Sequence, residues 1–390
     1  MKRRQSKLPA ALGYRMPAEW EPHASTWLAW PHFHGDWPGK FEPIPWVYAE
    51  IIRNLARHER VNLIVPSERA EKRAQAVLEQ ADALSDNVSF HRWRTNRVWT
   101  RDSGCIFLSH EPRATSHELE PEDRSQLQAR SSPLLALHFR FNAWAKYDNY
   151  KYDARIGARM ARAAAARVVQ PVFTDQDSTE HRIVLEGGSV DVNGRGTLLT
   201  TEECLLSTTQ QRNPAMNRDA YERLFNDYFS VQSVIWLGDG IEGDDTHGHV
   251  DDLARFVAPD TVVAMVEPDA QDANYAALQH NLGRLRAARD QDGHRLNVVE
   301  IPMPRPVTFT PAHPGSAEES VRLPASYANF YFANGCVLVP VFNDPNDRIA
   351  LNTLAGLFPD REIIPIYSGD LIWGFGALHC MTQQEPGPVA

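Results

Sequence analysis

The stretch ARFVAPDTVVAMVEPDAQDANYAALQHNLGRLRAARDQDGHRLNVVEI, residues 254–301, carries the pattern that decides the fold. It follows an extended run expected from Gly248 to Phe256, turns at Asp260 and enters an apolar β-forming run from Thr261 to Val266. A polar stretch follows. Tyr275, Leu278, Leu282 and Leu285 then recur at three- and four-residue steps, the mark of an amphipathic helix. Leu296 to Ile301 is short enough to be a closing strand. The unit reads strand, strand, helix, strand.

Parts of this unit recur on both sides. Cys105 to Leu108, Thr197 to Thr200 and Cys336 to Val341 are apolar runs that directly follow turn formers. Val47, Ile51 and Leu55 share a helical face ahead of Val61 to Val65, while Ser233 to Leu237 and Ile363 to Tyr367 read as further closing strands. A repeat at long, uneven period fits a radially repeated α/β architecture, in which each unit buries its apolar face only against its neighbours. A doubly wound sheet also alternates strands and helices and fits the same order.

The 390 residues suffice for one large domain or two ordinary ones. Residues 109–132 are charged and nearly free of large aliphatics, and 303–325 are rich in proline, serine and charge, so both read as surface insertions. The unit plan resumes beyond each, so neither is a boundary and residues 1–390 are expected to form a single domain. Apolar residues at 43% and charged residues at 23% exclude a disordered or fibrous class. A formal charge of −10 disfavours nucleic acid as partner and suits a cationic or neutral small ligand. No run approaches the roughly 18 apolar residues of a membrane helix, and MKRRQSKLPAALGY has the basic part of an export signal without its apolar part. A cytoplasmic protein is expected. Cys105, Cys204, Cys336 and Cys380 form neither a disulfide framework nor a zinc spacing and read as reduced thiols.

Cys380 stands apart from the other three, which lead into aliphatic residues as small core hydrophobes do. It lies in Trp373-Gly-Phe-Gly-Ala-Leu-His-Cys380-Met-Thr-Gln-Gln, where two glycines precede it, as expected where backbone approaches a ligand. Adjacent His379 does not by itself activate it, because neighbours on a strand face opposite ways. In a second cluster, an extended Gly248 to Phe256 would set His249 and Asp251 on one face, pairing an acid/base with a carboxylate. The same letters suit a metal site or a solvated acidic turn. Asp102 and Glu186 stand at turn or strand ends, and Glu186, after the apolar Val184-Leu185, should be buried and need a partner. Trp27, Trp30, Trp99 and Trp144 are core or ligand-wall candidates.

Trp99-x-Arg-Asp102-x-Gly, Glu186-Gly-Gly, Glu202-Glu-Cys-Leu-Leu to Arg212-Asn-Pro, Gly248-His249-Val-Asp251 and His379-Cys380-x-Thr-Gln-Gln occur in this order. The set closely resembles the agmatine deiminase and bacterial-type peptidylarginine deiminase family of the guanidino-group-modifying superfamily, from Met16-Pro-Ala-Glu-Trp20 to Pro386. The resemblance implies the pentein fold, a five-bladed α/β propeller of ββαβ units about a pseudo-fivefold axis, and no metal or organic cofactor. It implies Cys380 as nucleophile, His249 as general acid/base and Glu186 as its orienting partner. Asp102 and Asp251 would grip a guanidinium, whose planar fork of donors suits carboxylates, and Trp99 would wall the pocket. The implied reaction is hydrolysis of agmatine to N-carbamoylputrescine and ammonia, in a polyamine route. Peptidyl arginine, free arginine or another guanidine is the alternative substrate, and amidinotransfer, a binding-only propeller and a metal hydrolase are rival readings. A homodimer or larger homo-oligomer is also implied. The chain departs from the family where Gly374-Phe375-Gly376-Ala-Leu replaces the usual three glycines and Asn-Ile, so Phe375 is expected to reshape the pocket mouth.

Overall fold

The computed structural model describes residues 8–110, 134–175, 177–309 and 320–387. Most of the first expected insertion, and residues 310–319 of the second, lie outside these. The flanks of the second are not plain loop, since Thr308–Phe309 pairs antiparallel with Val321–Arg322.

The strand, strand, helix, strand unit of residues 254–301 forms as read. Ala254–Ala258 pairs antiparallel with Thr261–Val266, which pairs parallel with Asn297–Pro302. Parallel neighbours need a long crossover, and helix Tyr275–Ala287 supplies it, burying Leu278, Leu282 and Leu285. The plan recurs in Asp191–Val192, Thr197–Thr201 and Ser233–Leu237 around helix Arg218–Phe229, and in Tyr331–Phe332, Cys336–Val341 and Glu362–Tyr367 around helix Asp347–Leu357. It recurs again in Ile106–His110, Leu134–Leu137 and Arg167–Val169 around helix Ile156–Ala163. The fifth unit is split between the two ends of the sequence. Gln383–Pro386 pairs antiparallel with His23–Ala29, which pairs parallel with Arg60–Val65 after helix Ile44–Leu55. The strands thus divide among separate small sheets, which rules out the single doubly wound sheet.

Local chemistry sets these boundaries. Asn217 and Ser67 cap helices Arg218–Phe229 and Glu68–Gln80 by accepting from Ala220 N and Ala70 N, groups the helix itself leaves without partners. Helices pack on their own sheet and on a neighbour's, as Tyr275–Ala287 does on Thr261–Val266 and Ser233–Leu237 and Asp347–Leu357 does on Glu362–Tyr367 and Asn297–Pro302, and the core consists of several clusters.

One expectation fails. Gly248 to Phe256 is not one extended run: His249 is extended, but Val250–Asp252 is a 3-10 turn and the strand starts only at Ala254. Strand alternation therefore does not bring His249 and Asp251 together.

An equivalent turn precedes the antiparallel strand of every unit: Thr100–Ser103, Gly187–Ser189, Val250–Asp252, Tyr327–Asn329 and the turn at 378–381. The five turns touch in cyclic order. Gly188 N donates to Asp102 Oδ1, turn 187–189 packs on turn 250–252, and Asn329 Nδ2 donates to Asp252 Oδ1. His379 N donates to Asn329 Oδ1, and Arg101 N donates to the Cys380 carbonyl.

Candidate active site

The turns and the residues just before them, Glu186 and His249 among these, bring polar side chains to the place where the five meet. Cys380, 5% exposed, receives a hydrogen bond on Sγ from Asn329 Nδ2 at 3.1 Å and lies 3.7 Å from Asp251 Oδ2. The other oxygen of Asp251 is 3.9 Å from His249 Nδ1, so one carboxylate stands between thiol and imidazole. His249 is 4.0 Å from Asp102 Oδ1 by Nδ1 and 3.9 Å from Glu186 Oε2 by Nε2. Among the described residues, neither ring nitrogen, nor Glu186 Oε2, nor Asp251 Oδ1 has a hydrogen-bond partner. Buried polar atoms are normally satisfied, and their accumulation here is a strained arrangement typical of a reactive site.

The charges are set by neighbours. Burial opposes ionisation of Glu186, but the Arg212 guanidinium, its Nε 3.2 Å away, and His249 outweigh it and hold the carboxyl down to about 2. Glu186 thus has the partner its apolar context requires. Burial also opposes charge on His249, yet Asp102, Cys204 and Glu186 together raise its pKa well above the ordinary imidazole range. Asp102 is pushed up to about 6 by burial, against the pull of His249, and further by repulsion from Asp251 and Glu186. Its Oδ2 accepts from Trp144 Nε1 at 2.9 Å. For Asp251, burial is offset by His379, which keeps its carboxyl below the usual range. His379 is itself clamped, with Nδ1 2.6 Å from Asp251 and Nε2 2.7 Å from Glu19, and Glu19 in turn meets Arg101 and Arg255. The Cys380 thiol is pushed well above its ordinary pKa by burial and by Asp251, Asp252 and Asp102, with Asn329 opposing.

Two glycines are required by close approach. A Cβ on Gly188 would stand 2.6 Å from His249 Nδ1 and 2.9 Å from Asp251 Oδ2, and one on Gly376 would stand 2.8 Å from the Trp99 ring and 3.1 Å from Cys380 Cβ. Above this floor opens a cavity of about 300 Å³, lined among others by Trp99, Asp102 and Cys380. Trp99 also packs on Trp37, with ring centroids 6.0 Å apart, so it serves both core and wall. Phe375 holds left-handed backbone, φ 64°, and lines the same cavity.

All six candidate residues are thereby brought together: Cys380, Asp102 and Trp99 line the cavity, while His249, Asp251 and Glu186 lie buried behind them. Trp144, a core or ligand-wall candidate in the sequence, lines the cavity, and Asn329, Arg212, Glu19 and His379 complete the cluster without a role legible in the sequence. Arg212 sits in a quoted motif, but nothing in its letters names Glu186 as partner. Cys204, read as a core hydrophobe, lies within 4.8 Å of both Glu186 and His249. Those three could offer ligands to a metal ion, but Arg212 already places a positive charge on Glu186. Asp290, Asp292 and His294 also approach one another on the surface, where Asp290 Oδ1 accepts from the backbone of the other two and so organises their turn.

Residues 15–386 match the family described as Porphyromonas-type peptidyl-arginine deiminase. An agmatine deiminase of Stutzerimonas stutzeri is 34% identical over 391 residues, 97% of each chain, and one of Pseudomonas putida is 33% identical over 98% of each. Among solved structures, an agmatine deiminase of Enterococcus faecalis superposes with TM-score 0.82 at 30% identity over 98% of each chain. A C. jejuni agmatine deiminase with substrate bound gives TM-score 0.77 at 27% identity over 97% of each.

Proposed function

This chain belongs to the Porphyromonas-type peptidyl-arginine deiminase family, and from that premise we propose that it is an agmatine deiminase, a hydrolase that converts agmatine and water to N-carbamoylputrescine and ammonia. The full-length likeness to agmatine deiminases supports the substrate, and the single carboxylate standing between thiol and imidazole carries the mechanism.

Asp102 and Asp251 accept N–H groups of the guanidinium and fix its plane beside Cys380. Before substrate arrives, burial and then the surrounding carboxylates hold the thiol protonated. The arriving cation cancels part of that negative field, and the thiol proton is lost to solvent. Thiolate sulfur adds to the guanidinium carbon and gives a tetrahedral adduct. His249, charged because Asp102, Cys204 and Glu186 favour its proton, passes that proton to the departing nitrogen. The C–N bond breaks, ammonia leaves and an amidino-cysteine remains. Neutral His249 then takes a proton from water as the oxygen adds to the same carbon. Collapse expels the thiolate, sheds the hydroxyl proton to solvent and yields the ureido product. Glu186 holds the imidazole in place, itself anchored by Arg212.

The finer architecture belongs to this proposal. Five like units whose turns touch in cyclic order, the fifth built from both ends of the sequence, support a five-bladed propeller folded as one domain around the site. Among the described residues no helix is long and apolar enough to cross a membrane. We place the enzyme in the cytoplasm as a homodimer.

The test is ammonia release from a panel of agmatine, free arginine and a peptidyl arginine. Agmatine should show the highest kcat/KM, and Cys380→Ala should lower it at least about a thousandfold. A haloacetamidine should label Cys380, and equal ammonia release by wild type and Cys380→Ala would sink the proposal.

A further inference from the structure

The cavity above Cys380 has a second acidic pole away from the reacting centre. Asp36 and Asp245 line it together with Asp102, and Arg97 is the cation on its wall. The Asp102 side chain is 2% exposed and couples to His249, Asp251 and Glu186, whereas Asp245 is 14% exposed and raises the pKa of Asp36. The two carboxylate groups are therefore separate, one deep and one toward the surface.

The members of the outer group differ in what they have left to offer. Asp245 is engaged on both oxygens, by Lys146 and by the Tyr147 hydroxyl at 2.8 Å. Arg97 donates to Asn149 Oδ1 at 2.8 Å and stacks over the Tyr147 ring. Asp36 uses only Oδ1, which is 3.3 Å from Arg97 Nε. Its Oδ2 is buried with no hydrogen-bond partner among the described residues, on a side chain only 9% exposed. A carboxylate oxygen so placed pays a desolvation penalty that a hydrogen-bond donor would remove, and Asp36 is among the residues lining the cavity. Burial pushes the Asp36 carboxyl up to about 7, more than Arg97 can offset, so a nearby cation is strongly favoured. Trp99, Trp144, Trp373 and Phe375 line the same cavity and give it aromatic walls suited to a methylene chain and to cations.

We propose that Asp36 is the acceptor for a primary ammonium on the far end of the substrate, so that the cavity selects dications carrying a guanidinium and an amine. This deepens the proposed function and rests on Cys380 and Asp102 marking the guanidinium end. Asp36 is then a specificity residue: it distinguishes agmatine from an uncharged alkylguanidine of equal length, and its negative charge disfavours a carboxylate at the same place.

The test compares agmatine with n-butylguanidine, which lacks only the amine. In wild type the ratio of kcat/KM for agmatine over n-butylguanidine should be at least about tenfold, the worth of one buried charge-assisted hydrogen bond. In Asp36→Asn, which keeps an oxygen for Arg97, that ratio should fall toward one. The same comparison by calorimetric Kd in Cys380→Ser and in Cys380→Ser/Asp36→Asn needs no turnover. An equal ratio in the presence and absence of Asp36 overturns the inference. Should Asp36→Asn not fold, a wild-type preference near one overturns it equally. Absence of ammonia from every guanidine, with the binding preference intact and dependent on Asp36, counts against the reaction and supports the subsite.

Discussion

At the scale of the residue, the cluster holds carboxyls displaced in opposite directions. Glu186, held at about 2 against an ordinary 4.5, adds stability that is present above 4.5 and lost as pH falls toward 2. Asp102, raised from 3.8 to about 6, does the reverse: its ionised form destabilises the fold, an effect absent below 3.8 and fully present above about 6. Two units correspond to about 3 kcal/mol. Asp102→Asn should therefore gain roughly that much stability over wild type at pH 8, relative to the same difference at pH 4, while losing activity. Urea denaturation at both pH values measures it, and a difference independent of pH would contradict the assigned shift. Much at this scale is readable from letters alone. Glu186 after an apolar run announces a buried charge, but its partner Arg212 lies 26 residues away and was not identifiable.

At the scale of the element, Thr201 joins two pieces of the site. Its hydroxyl oxygen caps helix Glu202–Leu206 by accepting from Cys204 N at 3.1 Å, and its O–H donates to the Gly248 carbonyl, one residue before His249. Thr201→Val keeps the shape and removes both bonds. It should cost about 1–2 kcal/mol in denaturant unfolding and lower kcat more than it raises KM, with Thr201→Ser restoring both. Unchanged kcat in the valine variant would show that the cap does not position the imidazole. Helices Ile44–Leu55 and Tyr275–Ala287 were legible because apolar spacing near 3.6 residues leaves a pattern in the sequence, whereas Glu68–Gln80 and Arg218–Phe229 were not picked out. Nor were the turns. Val250–Asp252 spans three residues, too few for a period, and the left-handed backbone of Trp144 and Phe375 belongs to residue types that rarely adopt it.

At the scale of the whole molecule, strand Gln383–Pro386 ties the end of the sequence to His23–Ala29 and closes the cycle of turns next to Cys380. Ending the chain after Met381 should abolish cooperative unfolding, because the first sheet loses its edge and Cys380 its anchorage. A thermal melt of the truncated chain followed by near-ultraviolet dichroism checks this, and a sharp transition near the wild-type Tm would refute it. The strand, strand, helix, strand plan, the separation of Cys380 from the other cysteines and the ordered motifs followed from the sequence by itself, since periodicity and composition are local. Only the tertiary structure decided that turns from five units converge, that Asn329 and Asp251 meet the thiol, that Cys204 faces His249 rather than plain core, and that one oxygen of Asp36 has no partner among the described residues. The physical reason is that burial and electrostatic fields depend on distance in space, and the residues that set them here come from opposite ends of the chain.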